Sequence, residues 1–102
     1  MMIARVEGSV VATKKNPKMT GSKFLVVRPL TTDSPSATEL KAGSSTLVAV
    51  DALGAGEGDL VLLVQGSSAR LAMDDKDTPV DAVVIGLVDS IDTARHILYK
   101  TA

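Results

Sequence analysis

Two groups of residues hold side chains from which a reaction or a metal site could be built. Ser67, Ser68, the single histidine His96 and several aspartates are the parts of a nucleophile–base–carboxylate relay. A serine nucleophile of that kind needs a strained, exposed elbow, Gly-x-Ser-x-Gly, between a strand and a helix. Here the serines follow Gly66 and run into Ala69-Arg70. The second glycine is missing, and Ser67 reads as a helix N-cap. Asp74, Asp75 and Asp77 offer oxygens to a hard cation, but Lys76 stands among them. Neither the ligand spacing nor the distal glutamate of a calcium loop is present, so they read as a solvated loop. With no cysteine in the chain, disulfides and thiolate metal sites are excluded. The expectation is a protein that is not an enzyme, with no catalytic residue, cofactor or metal.

A phosphate cradle fails on similar grounds. The turn Gly54-Ala55-Gly56-Glu57-Gly58-Asp59 carries three alternate glycines. The pattern Gly-x-Gly-x-x-Gly breaks at Asp59, and no Lys-Ser/Thr follows. Glycines there indicate a special backbone conformation or a close backbone approach. That points to packing or assembly. Lys14, Lys15, Lys18 and Lys23 form a local basic patch. On a small barrel of the oligonucleotide-binding kind, such a patch would read single strands only with aromatic platforms beside it. Phe24 is the single aromatic nearby. A single-stranded nucleic-acid module is therefore the alternative reading.

The elements that must position these residues are short strands. Ala4, Val6, Gly8, Val10 and Ala12 alternate with Arg5, Glu7 and Ser9, predicting a half-buried strand within residues 2–13. Phe24–Arg28 predicts a second strand, ended or placed at an edge by Pro29. Residues 31–45 read as a long loop or loose hairpin. Thr46–Val50 and Leu60–Val64 are unbroken apolar runs, so both faces of each should be covered. Ser67–Met73 predicts a short helix, and Ala82–Val88 a fifth strand. The tail reads as a short sixth strand at Ile97–Tyr99. Such short strands with a single helix predict an all-β fold closed into a small barrel, in one domain spanning 1–102.

Composition agrees with assembly more than with a free monomer. Of the 102 residues 45% are hydrophobic, while the aromatics are Phe24 and Tyr99 alone. A domain of this size hides only about two thirds of its unfolded surface. Part of the apolar surface is expected in a subunit interface. A formal net charge of -1 gives no general attraction to nucleic acid or membrane. No apolar run approaches the roughly 20 residues of a membrane span. The N-terminus does not read as a signal peptide, so a cytoplasmic location is expected.

The motifs, in order, resemble one family. Thr13-Lys14-Lys15-Asn16-Pro17-Lys18-Met19-Thr20-Gly21 comes first, followed by Ala49-Val50-Asp51-Ala52-Leu53-Gly54-Ala55-Gly56-Glu57-Gly58-Asp59. Gly66-Ser67-Ser68-Ala69-Arg70, Pro79-Val80-Asp81 and Ile85-Gly86-Leu87-Val88-Asp89 complete the set. Together they resemble the EutN/CcmL family, the pentameric vertex proteins of bacterial microcompartment shells, from residue 2 to about residue 92. The resemblance implies a five-stranded OB-like β-barrel with a short helix. It also implies a cyclic homopentamer capping vertices of an icosahedral shell, with hexameric shell proteins as partners. On that basis Asp51, Gly54, Ala55, Gly56, Gly58, Gly66, Ser67, Ser68 and Arg70 are candidates for the ring interface or its pore. The helix start at Ser67-Ser68 would favour small anions or water. Arg70 would pair with Asp51 or Asp81, within or between subunits. Asp51 would accept N–H bonds from the turn, and Asp89 likewise. Lys14, Lys15 and Lys18 would contact neighbouring hexameric tiles.

Overall fold

Alternation of apolar and polar residues starts the barrel. In the computed structural model, which describes residues 1–13, 16–19, 21–32, 38–73, 80–94 and 96–101, β1 spans Met2–Val10 and buries Ala4 and Val6. The expected face does not continue to Ala12. A bulge between Val6 and Gly8 shifts the register against the next strand. One extra residue reverses the side-chain alternation. Ser9 comes opposite the buried Leu25, and Val10 turns outward.

The second strand, β2, runs Lys23–Thr31, straight through Pro29. Pro29 neither ends it nor lies at an outer edge. It falls where β2 changes partners on one side, from β4 (Leu47–Asp51) to the two-residue β3 (Lys41–Ala42). A missing N–H costs no ladder bond in that gap, and the Pro29 carbonyl still accepts from Gly43 N at 2.9 Å. The β2–β3 pairing is the expected loose hairpin.

Leu60–Gln65 forms β5 and Ala82–Leu87 forms β6. The sheet order β1-β5-β6-β4-β2 closes through a β1–β2 pairing. The result is a five-stranded barrel, with β4–β6 its single parallel pair. Ala4, Val6, Leu25, Val27, Ala49, Val61, Leu63 and Val84 fill the interior. Short aliphatic side chains suit so narrow a barrel, whose interior is only wide enough for packed side chains. The apolar run of β5 is explained by a second cluster on the barrel's outer surface. There Met19 from a 3₁₀ turn (Pro17–Met19) and Ala69 from α1 (Ser67–Leu71) pack with Val50, Val64 and Val83. Both faces of β5 are covered, as are those of the C-terminal half of β4; Val48 stays exposed.

The tail departs from the expected single strand. Ser90–Thr93 (β7) and His96–Lys100 (β8) pair with each other as a hairpin in a sheet of their own.

Candidate functional site

The Gly54–Asp59 turn is organised by one buried carboxylate. Asp51 closes β4 and is 5% exposed. Its Oδ1 accepts from Leu53 N at 2.8 Å, and its Oδ2 from Gly54 N at 3.1 Å and Ala55 N at 2.7 Å. An aspartate that bonds its own following backbone builds the turn from within. Lys23 stands opposite Asp51 in the β2–β4 register. Its Nζ donates to Ala55 O at 2.9 Å and lies 4.0 Å from Asp51 Oδ2. Sequence reasoning placed Lys23 only in a basic patch. The pairing becomes visible once the strand register is known, because the two residues lie far apart in the chain.

Two of the three alternate glycines have a conformational reason. Gly54 and Gly58 have φ of 88° and 90°, in the left-handed region that penalises a Cβ. Gly56 has no positive φ, and within the protomer an added Cβ would come no closer than 4.0 Å, to Asp59 Oδ2. Its N–H donates to that same Asp59 Oδ2 at 2.9 Å. The turn is docked on β1 as well: Gly58 N donates to Val6 O at 2.8 Å, and Val6 N to Asp59 O at 2.9 Å.

The second candidate segment differs from expectation at its start. Gly66, with φ of 66°, occupies the N-cap of α1, and no side chain caps the helix. Ser67 and Ser68 are its first helical residues, both exposed. A five-residue helix sums few peptide dipoles, so the expected anion preference loses its physical basis. Arg70 is exposed and pairs with no carboxylate among the described residues. Asp51 is committed to the turn, and Asp81 contributes its backbone carbonyl, which accepts from Gly66 N at 2.8 Å. The expected intrasubunit Arg70 pair is therefore not formed. Asp89 likewise acts through its backbone carbonyl, taking Thr101 N at 2.9 Å.

No catalytic relay is assembled from the described residues. His96 opens β8 on the separate hairpin, whereas Ser67 and Ser68 open a helix packed on β5 and β6. Lys14, Lys15 and the acidic group Asp74, Asp75 and Asp77 lie outside the described residues. Lys18 is exposed in the 3₁₀ turn. Phe24 is half-buried against the outer cluster of Met19 and Val50, so it does not offer the open ring face that stacking on a base requires. On the opposite strand pair, Arg28 Nε donates to Glu7 Oε2 at 2.9 Å, and this bond holds the Glu7 carboxyl below its ordinary value. Arg28 Nη1 also reaches Gly43 O at 2.8 Å, tying the β3 connection to the barrel.

Around the candidate segments the surface is more apolar than a solvated loop requires. Leu53 beside the turn and Leu71 at the helix end are 49% and 65% exposed. Val11, Val48 and Leu87 are exposed too. Scattered apolar residues are ordinary on a surface; Leu53 and Leu71 directly adjoin, in sequence, the two segments that the motifs single out.

Comparison with known proteins places this barrel. Residues 1–89 match the family described as ethanolamine utilisation protein EutN/carboxysome. The chain is 43% identical over 91 residues to the bacterial microcompartment shell vertex protein PduN of Salmonella typhimurium, covering 89% of this chain and 98% of PduN. It is 37% identical over 100 residues to the carboxysome shell vertex protein CcmL of Thermosynechococcus vestitus, covering 98% and 95% of the two chains. Its structure is similar to that of the GrpN pentameric microcompartment shell protein from Rhodospirillum rubrum. That match has a TM-score of 0.77 and 39% identity, over 92% of this chain and 100% of the other. With the five-stranded barrel, the glycine turn and the sequence match all in agreement, the chain belongs to the EutN/CcmL family.

Proposed function

We propose that this chain is a structural, non-catalytic subunit of a bacterial microcompartment shell, and that five copies close into a ring capping a shell vertex. The observation that carries this reading is the near full-length match to shell vertex proteins on a shared barrel. A cyclic ring uses a heterologous interface, in which one patch meets a different patch on the next copy. The exposed apolar residues beside the glycine turn and α1 supply material for such patches.

The candidate interface residues then divide into two roles. Asp51 and Ala55 are buried within the protomer, so they act by fixing the shape of the turn. Gly54, Gly56, Gly58, Gly66, Ser67, Ser68 and Arg70 are exposed and meet the neighbour. Gly56, whose own protomer does not demand glycine, is where the neighbouring backbone comes close. Arg70 takes its carboxylate from the next copy. Lys14, Lys15 and Lys18 face the hexameric shell proteins that surround the ring, in the shell inside the cell.

Native mass spectrometry at micromolar concentration tests the core of this reading. The expected species is five protomers. A stable monomer, or a ring with another number of members, overturns it.

A further inference from the structure

Arg28 stands where three segments meet. In the β1–β2 register it lies directly opposite Arg5, and like charges so placed destabilise a pair of strands. Between them comes Glu7, the residue that the β1 bulge leaves without a register partner. A bulge re-aims a side chain, and this one delivers a carboxylate to Arg28 Nε at 2.9 Å. The hydrogen bond from Arg28 and, to a smaller extent, the charge of Arg5 both favour the ionised Glu7. With Nε committed there, the same guanidinium turns Nη1 to Gly43 O at 2.8 Å.

Gly43 belongs to a strap, residues 38–46. Leu40 is half-buried and the other residues of the strap are exposed. Within it β3 pairs with β2 over two residues and lies at the end of the sheet order. Few buried contacts and exposed backbone bonds mark a segment that opens locally at little cost. The strap is nevertheless laid flush on β2. Gly43 N donates to Pro29 O at 2.9 Å, and a Cβ on Gly43 would come within 3.2 Å of that same oxygen. Leu40 of the strap and Leu30 of β2 line one open apolar trough of about 510 Å³, together with Met2, Ile3 and Leu62. Leu30, opposite Ala42 of the strap, is 3% exposed.

We propose that residues 38–46 are a movable wall of this trough, latched by the Arg28 fork. When Glu7 lets go of Arg28, the facing charge of Arg5 drives the guanidinium away from Gly43, the strap lifts and Leu30 is uncovered. Glu7 is thus a positioning residue, acting on the strap through Arg28. The device lies within one protomer and does not rest on the ring reading above.

The chain has no native cysteine, so a thiol placed at Leu30 reports its own exposure. Leu30→Cys is labelled with a thiol reagent under native conditions, with and without Glu7→Gln. The expected result is labelling at least several-fold faster in the Glu7→Gln background, while Leu63→Cys, inside the barrel, labels no faster. Equal acceleration at both sites means that the latch holds the barrel and not the strap, and overturns the proposal. Unchanged labelling at Leu30 overturns it too. Amide hydrogen exchange in chains without cysteine makes the same comparison independently of either thiol. Gly43 N–H is expected to exchange at least several-fold faster in Glu7→Gln, with the β5 amides unmoved. Raising the salt concentration should speed Gly43 exchange in the wild type, because it screens the latch, and should not do so in Glu7→Gln. Salt dependence of equal size in both overturns the ion pair as the latch.

Discussion

Asp51 holds the glycine turn in shape from inside the protomer. Its two oxygens accept three backbone N–H groups, and Lys23 closes the turn from the facing strand. Replacing Asp51 with alanine leaves those donors without their acceptor and is expected to cost about 2–4 kcal/mol. Asp51→Asn keeps one oxygen but turns an amide N–H₂ toward backbone donors, and should cost about 1–3 kcal/mol. Urea unfolding of both variants checks this. Equal stability of wild type and Asp51→Ala would remove the turn's anchor from the account. The carboxylate's role was legible in the sequence, because an aspartate just before a glycine turn has few other uses. Lys23's was not, since its partner is set by register between distant strands. Arg70 was expected to pair with Asp51 or Asp81 within or between subunits, and a single sequence cannot distinguish the two; among the described residues no carboxylate of its own protomer meets it.

At the scale of elements, alternation located β1 and apolar runs located the other barrel strands, and errors arose where local rules compete with closure. Alternation in β1 predicted one continuous face, yet the bulge at Glu7 reverses it. Proline was expected to stop β2, yet the change of partner from β4 to β3 leaves it a harmless place. Ser67 was expected to cap α1, yet Gly66 does so with a backbone conformation that few other residues adopt cheaply. Only one strand of the terminal hairpin was legible, because an arm without a barrel partner lacks the unbroken apolar run that marks the others. The glycine turn gives the element-scale prediction. Gly58→Ala forces a left-handed φ on a side chain and should lower protomer stability by about 1–2 kcal/mol. That corresponds to a fall of several degrees in thermal midpoint. Gly56→Ala should leave protomer stability within about 0.5 kcal/mol while weakening the ring. Melting curves read together with native mass separate the two. Matching losses of protomer stability would mean that Gly56 is needed by the fold itself.

For the whole molecule, an incomplete surface is the link between composition and role. The barrel interior accommodates small aliphatic side chains and little else, so a chain that is 45% hydrophobic leaves Leu53, Leu71, Val48 and Ile97 outside it. In the proposed ring, contacts between different patches would cover those residues. In the proposed role the outer rim of the ring would have a different task, because docking into a sheet of hexamers would have to be reversible while the shell is built. Polar and charged contacts suit that, since they are weakened by water and salt. Lys18 stands exposed on the 3₁₀ turn, close in sequence to Lys14 and Lys15. Changing all three to glutamate should leave the native mass at five protomers, because these residues are separate in sequence from both ring segments. The same variant, mixed with hexameric shell proteins and viewed by negative-stain electron microscopy, should give few closed particles, while the triple glutamine variant gives an intermediate yield. Closed shells in undiminished number would show that the lysines do not face the tiles. Loss of the five-membered mass would instead move them into the ring interface.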